Sequence, residues 1–165
     1  MAWVFHGVCI HPSGVSGLSV INKNGWSRYN IWEHSATVLD LYTKRAHGKA
    51  EEMTCAAQAA GLLRQLASSG DTLLDAGCGT GYFFHSLLSR HIALEYFGVD
   101  ATSRFIDIGR NALVSLGLPA EKMQTARIED IDGKVDHVLC MNVLSNLDNY
   151  HRPLERLLRI AKKSV

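Results

Sequence analysis

Leu73-Leu74-Asp75-Ala76-Gly77-Cys78-Gly79-Thr80-Gly81-Tyr82 joins an apolar run to an acid and three alternating glycines. Thr72 to Ala76 is short, apolar and preceded by a Gly70-Asp71 break, the pattern of a buried strand. From Tyr82 to Arg90 the apolar residues return at helical period, and the spacing predicts an inward face of Phe83, Leu87 and Leu88. Gly77, Gly79 and Gly81 must then make the turn, since residues without Cβ reach positive φ and admit close approach to the backbone. A strand, a glycine turn and a helix N-terminus in succession form a ligand crevice.

Glycine spacing alone leaves the ligand open. Dinucleotide-binding folds carry G-x-G-x-x-G, whereas here the third glycine comes one residue early and Asp75 ends the strand. Asp75, Gly77, Gly79 and Gly81 match D/E-x-G-x-G-x-G, and the chain here resembles the class I S-adenosylmethionine-dependent methyltransferases. The resemblance implies a Rossmann-like α/β/α sandwich with a mostly parallel sheet. It also implies S-adenosylmethionine (SAM) as cofactor and S-adenosylhomocysteine as product. Asp75, Ala76, Gly77, Cys78, Gly79 and Gly81 are the cofactor-binding candidates it places in this turn.

Leu94 to Val99 reads as the second strand, closing on Asp100, with Ala101 beside it as a further cofactor candidate. Asp100 follows the last glycine by about 20 residues, the distance at which a βαβ unit returns a carboxylate to ribose hydroxyls. The plainer role is to cap the helix that Thr102 and Ser103 open and that runs to Leu116. Met123 to Ala126 is a short third strand, leading into Ala126-Arg127-Ile128-Glu129-Asp130-Ile131. That segment resembles the family's third motif, but Arg127 stands where its acid is commonest. Adenine contact therefore passes to the Ile128 backbone and the Glu129 side chain, with solvated loop charges as the alternative reading of Glu129.

Val135 to Met141 is the fourth strand, ending in Asn142-Val143-Leu144-Ser145-Asn146-Leu147-Asp148. This resembles the fourth motif, where cofactor and substrate meet, and makes Asn142 a binding candidate. It is not the N-P-P-Y form associated with methylation of base amino groups or glutamine amides. His137 lies mid-strand and reads as a packed core histidine. Pro153 to Lys163 is the last helix candidate, with Leu154, Leu157, Leu158 and Ala161 on one face. The family sheet has the order 3-2-1-4-5-7-6, and only strands 1 to 4 can be placed. Strand 4 is then expected to be an apolar edge, implying a fragment or a cover from the N-terminal segment or another subunit of a homo-oligomer.

Residues 1–25 show no sustained period and read as a loop-like leader; residues 26–165 read as the cofactor-binding core with a helical N-terminal cap. Trp26, Tyr29, Trp32, Val38, Leu39, Leu41 and Tyr42 recur at helix-like intervals, the usual mark of packing residues. In the resembled family this segment often closes the site, which makes Tyr29, Tyr42 and Arg45 candidates to touch cofactor or substrate. Ala50 to Ala67 is an amphipathic helix candidate with Met53, Ala56, Ala57, Ala60, Leu63 and Leu66 on its stripe and Glu51 and Glu52 in its first turn.

Seventeen basic against 16 acidic residues leave no electrostatic footprint for nucleic acid or anionic membrane. Four cysteines without C-x-x-C spacing fit reduced thiols and a cytoplasmic location, and eight scattered histidines give no metal-ligand spacing. The N-terminal run Met1 to Ile10 is too short for a transmembrane helix and lacks the basic region of a signal peptide. The expectation is methyl transfer to a small-molecule acceptor, with no catalytic residue assigned. A protein that binds the cofactor without transfer, and a NAD-dependent oxidoreductase, are the competing readings.

Overall fold

A computed structural model of the protein describes residues 18–20, 32 and 35–165. Trp26 and Tyr29, two of the aromatics expected in the cap, lie outside the described residues. In chain order the elements are β1 (Leu18–Val20), α1 (Ala36–Ala46), α2 (Thr54–Leu66), β2 (Thr72–Ala76), α3 (Phe83–Ser89) and β3 (Glu95–Asp100). They continue with α4 (Ser103–Leu113), β4 (Met123–Thr125), β5 (Ile131–Gly133), β6 (Val135–Leu139), α5 (His151–Ile160) and β7 (Ala161–Ser164).

Five strands form one parallel sheet in the order β4-β3-β2-β6-β7. β2 sits at its centre, with Asp75 opposite Gly98 on one side and Leu139 on the other. Both faces of such a strand are covered, so its side chains alternate between two cores. Leu73 packs with Ala60, Leu63, Phe83, Leu87, Ile106 and Leu113, from α2, α3 and α4. Leu74 packs instead with Phe97, Val138, Leu157 and Ile160, the last two from α5. Helices on both faces make this the expected Rossmann-like three-layer arrangement. The first four expected strands form in the expected order, β3 ending one residue later than predicted and β4 and β6 one and two residues earlier.

The C-terminal segment departs from expectation. The helix predicted for residues 153–163 starts at His151 and ends at Ile160, and Ala161–Ser164 pairs with β6 as a fifth parallel strand. Its first residue and its serine are half-buried, while Lys162 and Lys163 face outward. The helical period continued through Ala161, but pairing with β6 satisfies a row of backbone groups that a longer helix would leave open. β6 is therefore not an edge, and the reason for placing another subunit there disappears. The new edge strand carries two lysines, a feature that discourages edge-to-edge pairing.

Smaller corrections concern helix faces. α2 begins at Thr54, so Glu51 and Glu52 precede it, and Glu52 pairs with Arg90 at 2.7 Å. Leu66, Leu88 and Leu158, expected inward, are exposed, since each helix meets the sheet along a stripe narrower than its apolar pattern. Within the stretch read as leader, Leu18–Val20 pairs antiparallel with β5. His137 is fully buried as expected, with Nε2 3.0 Å from Asp71 Oδ2 and Nδ1 2.9 Å from Ser164 Oγ.

Candidate functional site

The carboxyl ends of β2, β3, β4 and β6 converge on the glycine turn. Gly77, Gly79 and Gly81 have φ of 79°, 57° and 72°, a region that side-chain-bearing residues rarely adopt. The turn is stitched to the neighbouring strand: the N–H groups of Gly77 and Cys78 both donate to the Val99 carbonyl, at 2.8 and 2.9 Å. Asp100 completes the join, its Oδ2 accepting from the Gly79 N–H at 2.9 Å and its Oδ1 from the Thr102 N–H at 2.8 Å. One carboxylate thus fixes the turn and the first turn of α4 together. The capping role weighed for Asp100 is real, and the Thr102 side chain adds a further hydrogen bond to the same carboxylate.

The glycines are required for a reason the sequence did not reveal. A Cβ on Gly77 would strike the Val143 side chain, and one on Gly79 would lie 2.7 Å from the Tyr42 ring. At Gly81 it would meet Leu113 and Met123 at 2.8 and 2.9 Å. The turn is closely packed from above by α1 and by the loop after β6, and from the side by α4 and β4. Gly109 in α4 makes that approach achievable, since a Cβ there would sit 2.6 Å from the Thr80 carbonyl oxygen.

Asp75 is buried, and its Oδ2 accepts a 2.7 Å hydrogen bond from the Tyr96 hydroxyl. Burial pushes its carboxyl up to about 7, the Tyr96 bond opposing and the nearby Asp100 charge adding to the rise. Asp100 is also raised, chiefly by burial, with the Thr102 and Gly79 bonds opposing. No basic side chain lies in ion-pair range of either carboxylate among the described residues. Two desolvated acids without a counter-charge form a cation-seeking patch beneath the turn. Tyr96 is a residue that sequence reasoning missed; its only signal was an aromatic two positions before Gly98 on a strand next to Asp75.

Tyr42 and Arg45, expected from the cap, reach this region. The Tyr42 ring stacks on Phe105 with centroids 4.6 Å apart and planes 7° from parallel, and the Tyr42 carbonyl accepts from Thr80 Oγ1 at 3.0 Å. The Arg45 guanidinium lies 5.3 Å from the centroids of both Tyr42 and Tyr82. α1 is thereby seated on the glycine turn and α4.

The remaining candidates are spread around the rim. The Ala126 N–H donates to the Asp100 carbonyl at 3.0 Å, bringing the segment after β4 alongside. Ile128 is buried, and Glu129 is half-buried with its carboxylate 3.4 Å from Arg127. Ala101 is exposed at the end of β3. Asn142 takes a left-handed backbone, φ 58°, in the loop three residues past β6, with its amide nitrogen 3.7 Å from Cys55 Sγ. Ala76 is buried as the last residue of β2, and Cys78 as the first residue between the glycines, beneath Gly98.

Known proteins share this fold. A family model described as a methyltransferase domain matches residues 74–164, more than half of the chain. Among solved structures, a proposed SAM-dependent methyltransferase from Methanococcus maripaludis superposes with a TM-score of 0.62 at 13% identity, covering 83% of this chain and 62% of that one. The magnesium protoporphyrin IX methyltransferase of Synechocystis PCC 6803, solved with bound SAM, gives 0.56 at 19% identity over 77% of this chain and 67% of that one. A proposed methyltransferase in complex with the Trm112 methyltransferase activator of Haloferax volcanii gives 0.55 at 24% identity, over 75% and 54%. At such identities the likeness is one of fold. The chain spans about half to two thirds of the length of these structures.

Proposed function

Because the chain belongs to the methyltransferase-domain family, we propose that it binds SAM across the Asp75–Gly81 turn and transfers its methyl group to a small-molecule acceptor. The observation that carries this reading is the pair of acids at the strand ends, Asp75 buried and Asp100 half-buried, with no basic partner among the described residues. An acid at the end of β2, which the dinucleotide fingerprint does not carry, disfavours a pyrophosphate beside it and suits a nucleoside whose other end is cationic.

The chain's own residues divide the work. Asp100, at the end of β3 about 20 residues past the last glycine, holds the ribose diol. The Ile128 backbone and Glu129 flank the adenine, and the turn from Ala76 through Gly77, Cys78 and Gly79 to Gly81 carries the amino-acid end. Asn142, beside Val143 above Gly77, faces the acceptor side, and Ala101 borders the ribose. α1, seated on the turn through Tyr42, keeps water from the site. When bound, the cofactor supplies an electrophilic methyl on a sulfonium that is already a good leaving group. The protein's contribution is then alignment and desolvation, and a base is needed only if the acceptor must lose a proton.

The test is binding and transfer measured separately. Asp100→Ala is expected to weaken S-adenosylhomocysteine binding at least tenfold in calorimetry with the melting transition still cooperative; unchanged affinity contradicts the ribose assignment. Radiolabelled methyl transfer across a panel of small acceptors then distinguishes an enzyme from a protein that binds the cofactor without using it.

A further inference from the structure

The last four carbonyls of a helix find no partner within it, and those of α1 are met in two different ways. Thr43, Lys44 and Arg45 are served locally, their carbonyls accepting from the N–H groups of His47, Lys49 and Gly48 at 3.2, 2.8 and 3.0 Å. The fourth, on buried Ala46, is served from a distance: among the described residues its donor is His85 Nε2 in α3, at 2.8 Å. A carbonyl only accepts, so Nε2 carries the proton. Gly48, at φ 65°, lets the chain pass close to the ring, where a Cβ would come 3.1 Å from His85 Cε1.

This bond has a counterpart one helical turn earlier. The Tyr42 carbonyl accepts from Thr80 Oγ1 at 3.0 Å, and Tyr42 and Ala46, four residues apart, lie on one face of α1. Thr80 belongs to the glycine turn and His85 to the helix that leaves it. Two anchors a turn apart on one rigid helix fix both its rotation and its position along its axis, and that placement brings the Tyr42 ring over Gly79. The stack of Tyr42 on Phe105 adds a contact on the α4 side, but among the described residues neither hydrophobic core includes a residue of α1. Beyond Ala46 the connection to α2 is exposed at Gly48, Lys49 and Glu51, and with α3 it lines a cleft of about 330 Å³ that has His85 in its wall. The connection meets α3 again at the Glu52–Arg90 pair. The cap is thus held by a few polar bonds rather than by a core of its own.

Resting on the methyltransferase reading above, we infer that His85 is a positioning residue: its bond to the Ala46 carbonyl latches the cap and so holds Tyr42 over the turn that takes the cofactor. It touches no ligand itself. What it contributes is a donor for a buried carbonyl, since an acceptor left bare at the end of α1 favours a helix end that lifts to reach water. A cap already docked is preorganised, and cofactor binding does not have to order it. Loss of the latch is therefore read in affinity as well as in the cap.

Two substitutions separate the bond from the packing of the ring. His85→Phe keeps an aromatic ring beside Gly48 and removes the donor, whereas His85→Gln removes the ring and keeps an N–H at similar reach. Cap docking is read by limited trypsin digestion, followed by mass spectrometry at the bonds after Lys44 and Arg45 in the last turn of α1, and the site by calorimetry with S-adenosylhomocysteine. His85→Phe is expected to speed cleavage at those bonds about fivefold or more and to weaken S-adenosylhomocysteine by a similar factor, with the melting temperature unchanged because α1 lies outside both cores. His85→Gln is expected to stay within about twofold of the parent in both. Values for His85→Gln no closer to the parent than those for His85→Phe overturn the inference in favour of ring packing, and parent-like behaviour of His85→Phe overturns it outright. Faster cleavage with unchanged affinity also overturns it, since the latch would then hold the cap without positioning the site. If the parent itself binds no S-adenosylhomocysteine, the methyltransferase reading fails, and the latch stands or falls on the cleavage rates alone.

Discussion

Asp75 couples function to stability at a single carboxyl. Its value of about 7 in the folded chain lies above the value near 4 of an unfolded aspartate, so folding takes up a proton between those limits. The stability from this group is fully present below about pH 4 and is lost as pH rises through 7, a change of a few kcal/mol at most. Asp75→Asn keeps an acceptor for the Tyr96 hydroxyl and removes the charge. Its melting temperature is expected to match the parent near pH 3 and to exceed it by a growing margin up to pH 8, while its affinity for S-adenosylhomocysteine falls. A pH-independent difference in melting temperature would show that the carboxyl is not the titrating group. Gly109 makes a second residue-level prediction: Gly109→Ala forces a Cβ onto the Thr80 carbonyl, a backbone atom that cannot yield cheaply. The expected loss is about 1–3 kcal/mol in urea denaturation.

At the scale of elements, the part legible in the sequence was the part written in local pattern. β2, the glycine turn, β3 and Asp100 follow one another closely, and each carries its own signal: an apolar run, glycines without Cβ, an acid at a strand end. What the pattern could not show was contact across the chain. The close packing of Tyr42 over Gly79 and of Val143 over Gly77 joins residues 37 and 66 positions apart, and Tyr96 bonds Asp75 from the neighbouring strand. β7 was missed for a related reason: Ala161–Ser164 has two lysines and little β propensity, and becomes a strand because β6 offers it a free edge. It is pinned by Asp71, which receives Lys163 at 2.7 Å and His137 at 3.0 Å, and His137 in turn meets Ser164. Lys163, Ser68 and His137 together hold the Asp71 carboxyl well below the usual range. Its contribution to stability is thus fully present above the unfolded value near 4 and is lost progressively as pH falls from there through its much lower folded value. Asp71→Asn is expected to lower the urea midpoint at pH 7 and to lower it less at pH 3; an equal deficit at both would contradict the network.

Across the described residues, five parallel strands bring their carboxyl ends toward the glycine turn, and α1 packs on that turn through Tyr42. The two cores have separate tasks. That of α2, α3 and α4 sets the glycine turn against the sheet, and that of α5 anchors the far face. Among the described residues no helix is long and apolar enough to cross a membrane, and no group of three or more histidines, cysteines or acids is placed to hold a metal ion. The fold was legible because topology in parallel α/β sheets follows from the order of strands and crossovers. The acceptor was not, since its recognition depends on side chains converging from separate loops rather than on any one run of sequence.

The central claim is that the acid-flanked glycine turn is a SAM site, and titration calorimetry with S-adenosylhomocysteine and NAD tests it most directly. Saturable one-to-one binding of S-adenosylhomocysteine, lost in Asp100→Ala, with no heat from NAD is the predicted result. Saturable binding of NAD with none of S-adenosylhomocysteine would contradict it.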